Sequence, residues 1–190
     1  PWPAHFSVKN FVDVIDNPYL PFPAGATWRY EGTADGEAEI IEVTVTGERK
    51  EIMGISAVVV RDTVSVAGAV VEDTDDWYAQ DAQGNVWYLG EDVKDFENGQ
   101  VVSTAGSWEA GVDGALPGIV MPGAPAPGDP YRQEYYAGEA EDMMQILEAG
   151  SSLTAGGQVY DDVVRTRDWT PLDPDVVEEK AYARGIGKIV

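Results

Sequence analysis

The chain has 190 residues, 44% of them apolar, which is long enough to bury the core of one domain and too apolar to stay disordered. Asp and Glu number 34 against 12 Lys and Arg, for a formal net charge of −22. Such a surface repels phosphate backbones and anionic bilayers, and so argues against nucleic-acid and membrane-surface binding. With no cysteine there is no disulfide framework, no thiolate nucleophile and no thiolate metal site. No apolar run approaches the roughly 20 residues of a membrane span.

Residues 1–25 read as an N-terminal arm. The opening Pro1-Trp2-Pro3, without a Met, points to a processed start, and with it to a secreted, periplasmic or cell-surface location. Phe6, Phe11, Val12, Val14 and Ile15 fit a short helical turn. Pro18, Pro21 and Pro23 then force an extended or turning path, and the aromatic residues favour packing against the domain.

From residue 26 to 190 the pattern is β. Trp28 and Tyr30 alternate with Arg29 and Glu31, and Ile41, Val43 and Val45 alternate with Glu42, Thr44 and Thr46. Period two with β-branched residues marks half-buried strands. Val58-Val59-Val60 suggests a strand covered on both faces. Two aromatic runs, Trp77-Tyr78 and Trp87-Tyr88, flank Asp81-Ala82-Gln83-Gly84-Asn85 and predict a hairpin with Gly84 at the left-handed position. A second turn is expected at 97–100. Residues 105–130 are rich in Gly and Pro and predict a long irregular loop, either a site border or a plain surface connection. Strands follow at 131–137, 158–167 and 176–183. Residues 141–147 fit a strand better than two helical turns, and Gly185 to Val190 closes the sheet. The expected fold is mainly β: a single-domain curved antiparallel meander or open barrel, with one ring-rich side and one acidic side.

Gly25-Ala26-Thr27-Trp28-Arg29-Tyr30-Glu31-Gly32, Glu72-Asp73-Thr74-Asp75-Asp76-Trp77-Tyr78-Ala79-Gln80-Asp81 through Gly84-Asn85-Val86-Trp87-Tyr88-Leu89-Gly90-Glu91, residues 107–115, and the closing Lys180-Ala181-Tyr182-Ala183-Arg184-Gly185-Ile186-Gly187 carry a resemblance over most of the chain. On these residues the chain resembles a group of bacterial exported proteins and lipoproteins. The aromatic hairpin is its most specific part. The last element is loosely similar to the end of the lipoprotein-carrier fold. The resemblance implies export and a curved antiparallel sheet; it lends no catalytic residue.

Chemistry-bearing residues are few in kind. His5 is the single histidine, so a histidine zinc site is excluded by number, and a Ser-His-Asp triad would need it to cross the domain. Carboxylates gather around the hairpin. Antiparallel pairing brings Asp76 near Glu91, and like charges so placed need an offset from solvent, an Arg or a cation. Asp73, Asp76, Asp81 and Glu91 are therefore candidate calcium ligands, although the run lacks the spacing of a helix–loop–helix calcium site. Glu109 and Asp113, beside Trp108, are the candidate acid/base pair of a hydrolase or lyase acting on a glycoside. Trp77, Tyr88, Trp108, Arg132 and Tyr135 are candidate ligand contacts. Arg29, Arg61, Arg132, Arg165 and Arg167 lie in strand patterns, where they either neutralise carboxylates or face a pocket and hold an anion. Three functions remain open: a binding protein holding a small apolar or aromatic ligand, or a saccharide, in a concave ring-lined site; a carboxylate-dependent hydrolase or lyase; or a structural envelope protein adapted to calcium or salt.

Overall fold

The computed structural model describes residues 6–190. Strands make up 65% of it, and among the described residues there is no α-helix, so the core is built sheet on sheet. The first sheet is a meander of consecutive hairpins: β2 (Thr27–Ala34), β3 (Glu37–Ile52), β4 (Ile55–Val66), β5 (Ala69–Asp81), β6 (Val86–Glu97) and β7 (Gln100–Ser103). Four of its turns have two residues, both at positive φ: Asp35-Gly36, Met53-Gly54, Ala67-Gly68 and Asn98-Gly99. These are turns whose twist matches that of the strands they join, so the meander is encoded locally. β1 (Phe11–Val12), β8 (Trp108–Glu109), β9 (Leu116–Met121) and β11 (Glu134–Tyr135) complete the sheet. The second sheet has five strands: β10 (Tyr131–Arg132), β12 (Met143–Ala155), β13 (Gln158–Thr170), β14 (Asp173–Ala183) and β15 (Gly187–Lys188). Both sheets are antiparallel and curl into half-barrels.

One cluster of buried side chains spans the two sheets. Val45, Val60, Trp87 and Leu89 of the first pack with Ile146, Val164 and Tyr182 of the second. Val58, Val59 and Val60 are all buried, as their run of β-branched residues predicts. The chain changes sheet at Gln133. Arg132 pairs with Met143 of β12, whereas Glu134 pairs with Pro117 of β9.

The arm differs from its expectation in part. Only Val8–Asn10 forms a helical turn, and of 3-10 type; Phe11 and Val12 then extend β5 by pairing with Asp81 and Gln80. Tertiary packing overrides the helical pattern, because the Phe11 ring meets Trp87 at 6.0 Å. Asn17, 1% exposed, pins the arm: its Oδ1 accepts from the backbone of Tyr19 at 2.8 Å, and its Nδ2 donates to the Gly84 carbonyl at 2.8 Å.

The Gly/Pro-rich stretch 105–130 is present, but it is not irregular throughout. β9 runs through it and pairs with β6, placing Ile119 opposite Trp87. A Cβ on Gly118 would lie 2.4 Å from the Gln133 carbonyl oxygen. Glycine here permits close approach of backbones, where composition alone suggests a loop.

Candidate functional site

Between the two sheets lies a cavity of about 300 Å³. The period-two pattern of β5 builds its floor: Glu72, Thr74, Asp76 and Tyr78 point inward. The alternate residue Asp73 points outward and pairs with Arg61. Val60 and Asp62 of β4 and Val43 of β3 continue the floor, and Trp28 and Tyr30 of β2 form one side. Lys180 and Tyr182 of β14, with Lys188 of β15, supply the opposite wall. Phe22 of the arm leans in, its ring 6.1 Å from Trp28 and 5.0 Å from Tyr78.

The wall mixes rings with ionisable groups. The expectation of one greasy face and one acidic face is thus corrected, since carboxylates line the concave side too. Asp76 accepts the Tyr88 hydroxyl and stands opposite Glu91 across the β5–β6 ladder. Burial pushes Asp76 up to about 8; the Tyr88 hydrogen bond opposes this, and Asp62, Glu72 and Glu134 add to it. Burial likewise raises Glu91 to about 8, with Asp76 next in effect. Asp62 rises to about 6 by burial, and its Oδ1 is buried without a hydrogen-bond partner among the described residues. Near neutral pH Asp76 and Glu91 are in good part protonated, and so offer hydroxyl donors as well as acceptors.

Two pins hold the second wall to the first. Trp28 Nε1 donates to the Ile186 carbonyl at 2.7 Å, and the Tyr30 hydroxyl donates to the Lys188 carbonyl at 2.9 Å. Outside this seam an open groove of about 740 Å³ shares Tyr30, Lys180 and Lys188 with the cavity. These three residues stand between the two spaces and border both.

The residues expected from sequence are distributed differently. Asp76 and Glu91 line the cavity. Asp81 does not: its carboxylate clamps the hairpin by accepting from the Gln83 and Asn85 backbones and from Trp87 Nε1, each at 2.9 Å. Asp73 is engaged by Arg61. Among the described residues, no three His, Cys, Asp or Glu side chains are grouped to hold a metal ion. Tyr88 sits behind the floor, stacked on Tyr78 at 4.9 Å. Trp108 is buried, donating to Glu134 Oε2 at 2.9 Å, which anchors its loop in the core. Trp77 lies under Lys50, whose Nζ is 3.2 Å from the ring centre and 2.8 Å from Glu109. Trp77, Trp108 and Glu109 thus border a second, shallow depression, which shares Glu91 with the cavity and which Asp113, exposed on a turn at φ 48°, does not line. Arg132 is outside the cavity, over the Tyr135 ring at 4.3 Å and paired with Glu141. Arg29, Arg61 and Arg165 pair with outward carboxylates, and Arg167 lies over Trp169. His5 lies outside the described residues.

Trp28, Tyr30, Asp62, Tyr182 and Lys188 were not singled out from the sequence. The alternation Glu72-x-Thr74-x-Asp76-x-Tyr78 held the signal. Acids on both parities of that strand hid which face turned inward. Comparison with protein-family models, with curated proteins and with solved structures gives no match for the chain.

Proposed function

We propose that the protein binds a small molecule in the cavity between its two sheets. The observation that carries this reading is the makeup of the wall. Phe22, Trp28, Tyr30, Tyr78 and Tyr182 supply ring faces, while Asp62, Asp76, Glu91 and two lysines supply polar atoms, around a volume at the lower end of the range for ligand sites. A void left by imperfect packing would be apolar and small; ionisable groups there carry a cost that ligand contacts offset. The shape suits a compact molecule with both an apolar face and hydrogen-bonding groups, such as a monosaccharide or a small aromatic compound. Export, as the resemblance implies it, accords with a carrier or receptor role outside the cytoplasm.

The test is calorimetry and thermal unfolding of the wild type and of Val43→Phe against a panel of monosaccharides, small aromatic acids and aromatic alcohols. A bound ligand stabilises the folded chain by mass action, by about 2.7 kcal/mol at a hundredfold excess over Kd, and so raises the melting temperature. The expected result is stabilisation of the wild type that Val43→Phe abolishes by filling the chamber. Equal stabilisation of both proteins, or of neither, refutes the reading. The alternative, catalysis by Glu109 and Asp113, is not favoured, because Glu109 is ion-paired with Lys50 and Asp113 stands apart.

A further inference from the structure

The two lysines of the cavity are held in contrasting ways. Lys180 Nζ is 2.9 Å from Asp168 and 3.1 Å from Glu178, so its charge is satisfied. Lys188 has no ion pair among the described residues; its Nζ lies 4.7 Å from the centre of the Tyr30 ring. Its strand is fixed, because the Lys188 carbonyl accepts the Tyr30 hydroxyl and the neighbouring Ile186 carbonyl accepts Trp28 Nε1. Its side chain borders both the chamber and the outer groove, so any ligand that enters by the groove passes it.

We propose that Lys188 is a carbonyl-reactive amine, whose Nζ condenses with a small aldehyde or ketone held in the cavity to form an imine. This rests on the cavity being a ligand site and names the ligand's reactive group. An amine reacts as its neutral form, which desolvation and a neighbouring cation both favour. Both act here: burial lowers Lys188 first, and Lys180 lowers it further, against the opposing pull of Asp62, Glu178 and Asp168. The nitrogen lone pair adds to the carbonyl carbon. The carbonyl π pair moves to oxygen, which gains a proton as nitrogen loses one, giving a carbinolamine. Its hydroxyl then leaves as water on protonation, and the nitrogen lone pair forms the C=N bond. One water is released for each imine, and no oxidant or reductant is consumed. Asp62 is the acid placed to supply and recover that proton. It shares the cavity wall, titrates near 6 and has an unpartnered buried oxygen.

The experiment treats the full chain with benzaldehyde or propanal and cyanoborohydride near neutral pH, then maps modified lysines by peptide mass spectrometry. Lys188 is expected to be alkylated about tenfold or more faster than exposed Lys9 in the same molecule. Lys188→Arg should remove that adduct and leave labelling at Lys9, Lys50 and Lys94 unchanged. Because the comparison is internal to the wild type, it holds even where the variant folds poorly. Equal rates at Lys188 and Lys9 overturn the proposal. If the ligand panel still binds without trapping at Lys188, the imine falls and the binding reading stands; if nothing binds and nothing is trapped, both fall.

Discussion

Asp76, Glu91 and Glu134 each titrate near 8, with burial the first cause in every case. Their unfolded values lie near 4, so between about pH 4 and pH 8 the folded chain binds more protons than the unfolded one. Stability therefore falls as pH rises through that window and levels off above it, the reverse of a salt-bridged carboxylate. The melting temperature should decline from pH 5 to pH 8.5. Glu91→Gln should flatten the decline and raise stability above pH 8, by on the order of 2 kcal/mol. A melting temperature that rises over this range contradicts the placement of these groups. The Tyr88 hydroxyl tempers the effect at Asp76 but cannot remove it, since one hydrogen bond replaces only part of the lost hydration.

At the scale of elements, the β5–β6 hairpin shows how local chemistry and packing divide the work. Asp81 closes the turn with both carboxylate oxygens, and Gly84 occupies the left-handed position at φ 83°. Further along β6, an extra residue between Tyr88 and Glu91 bends the strand, and Gly90 takes φ 134° there. A Cβ at Gly90 would lie 2.2 Å from the Trp108 carbonyl oxygen. Gly90→Ala should therefore push β8 off β6, unseat Trp108 from Glu134, and cost about 3 kcal/mol or more in chemical denaturation. A loss under 1 kcal/mol would mean that β8 is not held as described. The same hairpin was legible from sequence because its turn and its aromatic alternation lie within 15 residues or so. β9 was not legible, because its Gly118 answers to Gln133, a residue that only the fold brings near. The inward face of β5 was not legible either: Glu72 and Asp73, or Asp75 and Asp76, present the same charge to either side.

For the molecule as a whole, the net charge of −22 acts on a structure that also confines carboxylates between its sheets. Self-repulsion of that size favours the expanded chain, and salt screens it over about 10 Å at 0.1 M and 3 Å at 1 M. Raising sodium chloride from 0.1 to 1 M should thus raise the melting temperature by several degrees, and more at pH 8.5 than at pH 5, where Asp76 and Glu91 are neutral. An unchanged or lower melting temperature in salt would show that outward ion pairs such as Arg61–Asp73 already balance the surface. The antiparallel half-barrel architecture was read from alternation and turns. That there would be two sheets, facing one another across a cavity, was not, because nothing local marks the three places between 122 and 142 where the backbone crosses.

The backbone passes between the halves three times, over 122–130, at Gln133 and over 136–142, and the Gln133 side-chain amide also reaches Asp168 of the second sheet. Trp28 and Tyr30 bond the Ile186 and Lys188 carbonyls at the far margin, where Pro18 and Tyr19 of the arm also meet Gly185 and Asp162. Such an arrangement has the parts of a clamshell: two whole jaws, a hinge of backbone crossings, and a latch of ring donors and arm contacts. Slow amide-proton exchange should then persist in β4 to β6 while β15 exchanges early, because unlatching exposes the interior without unravelling either jaw.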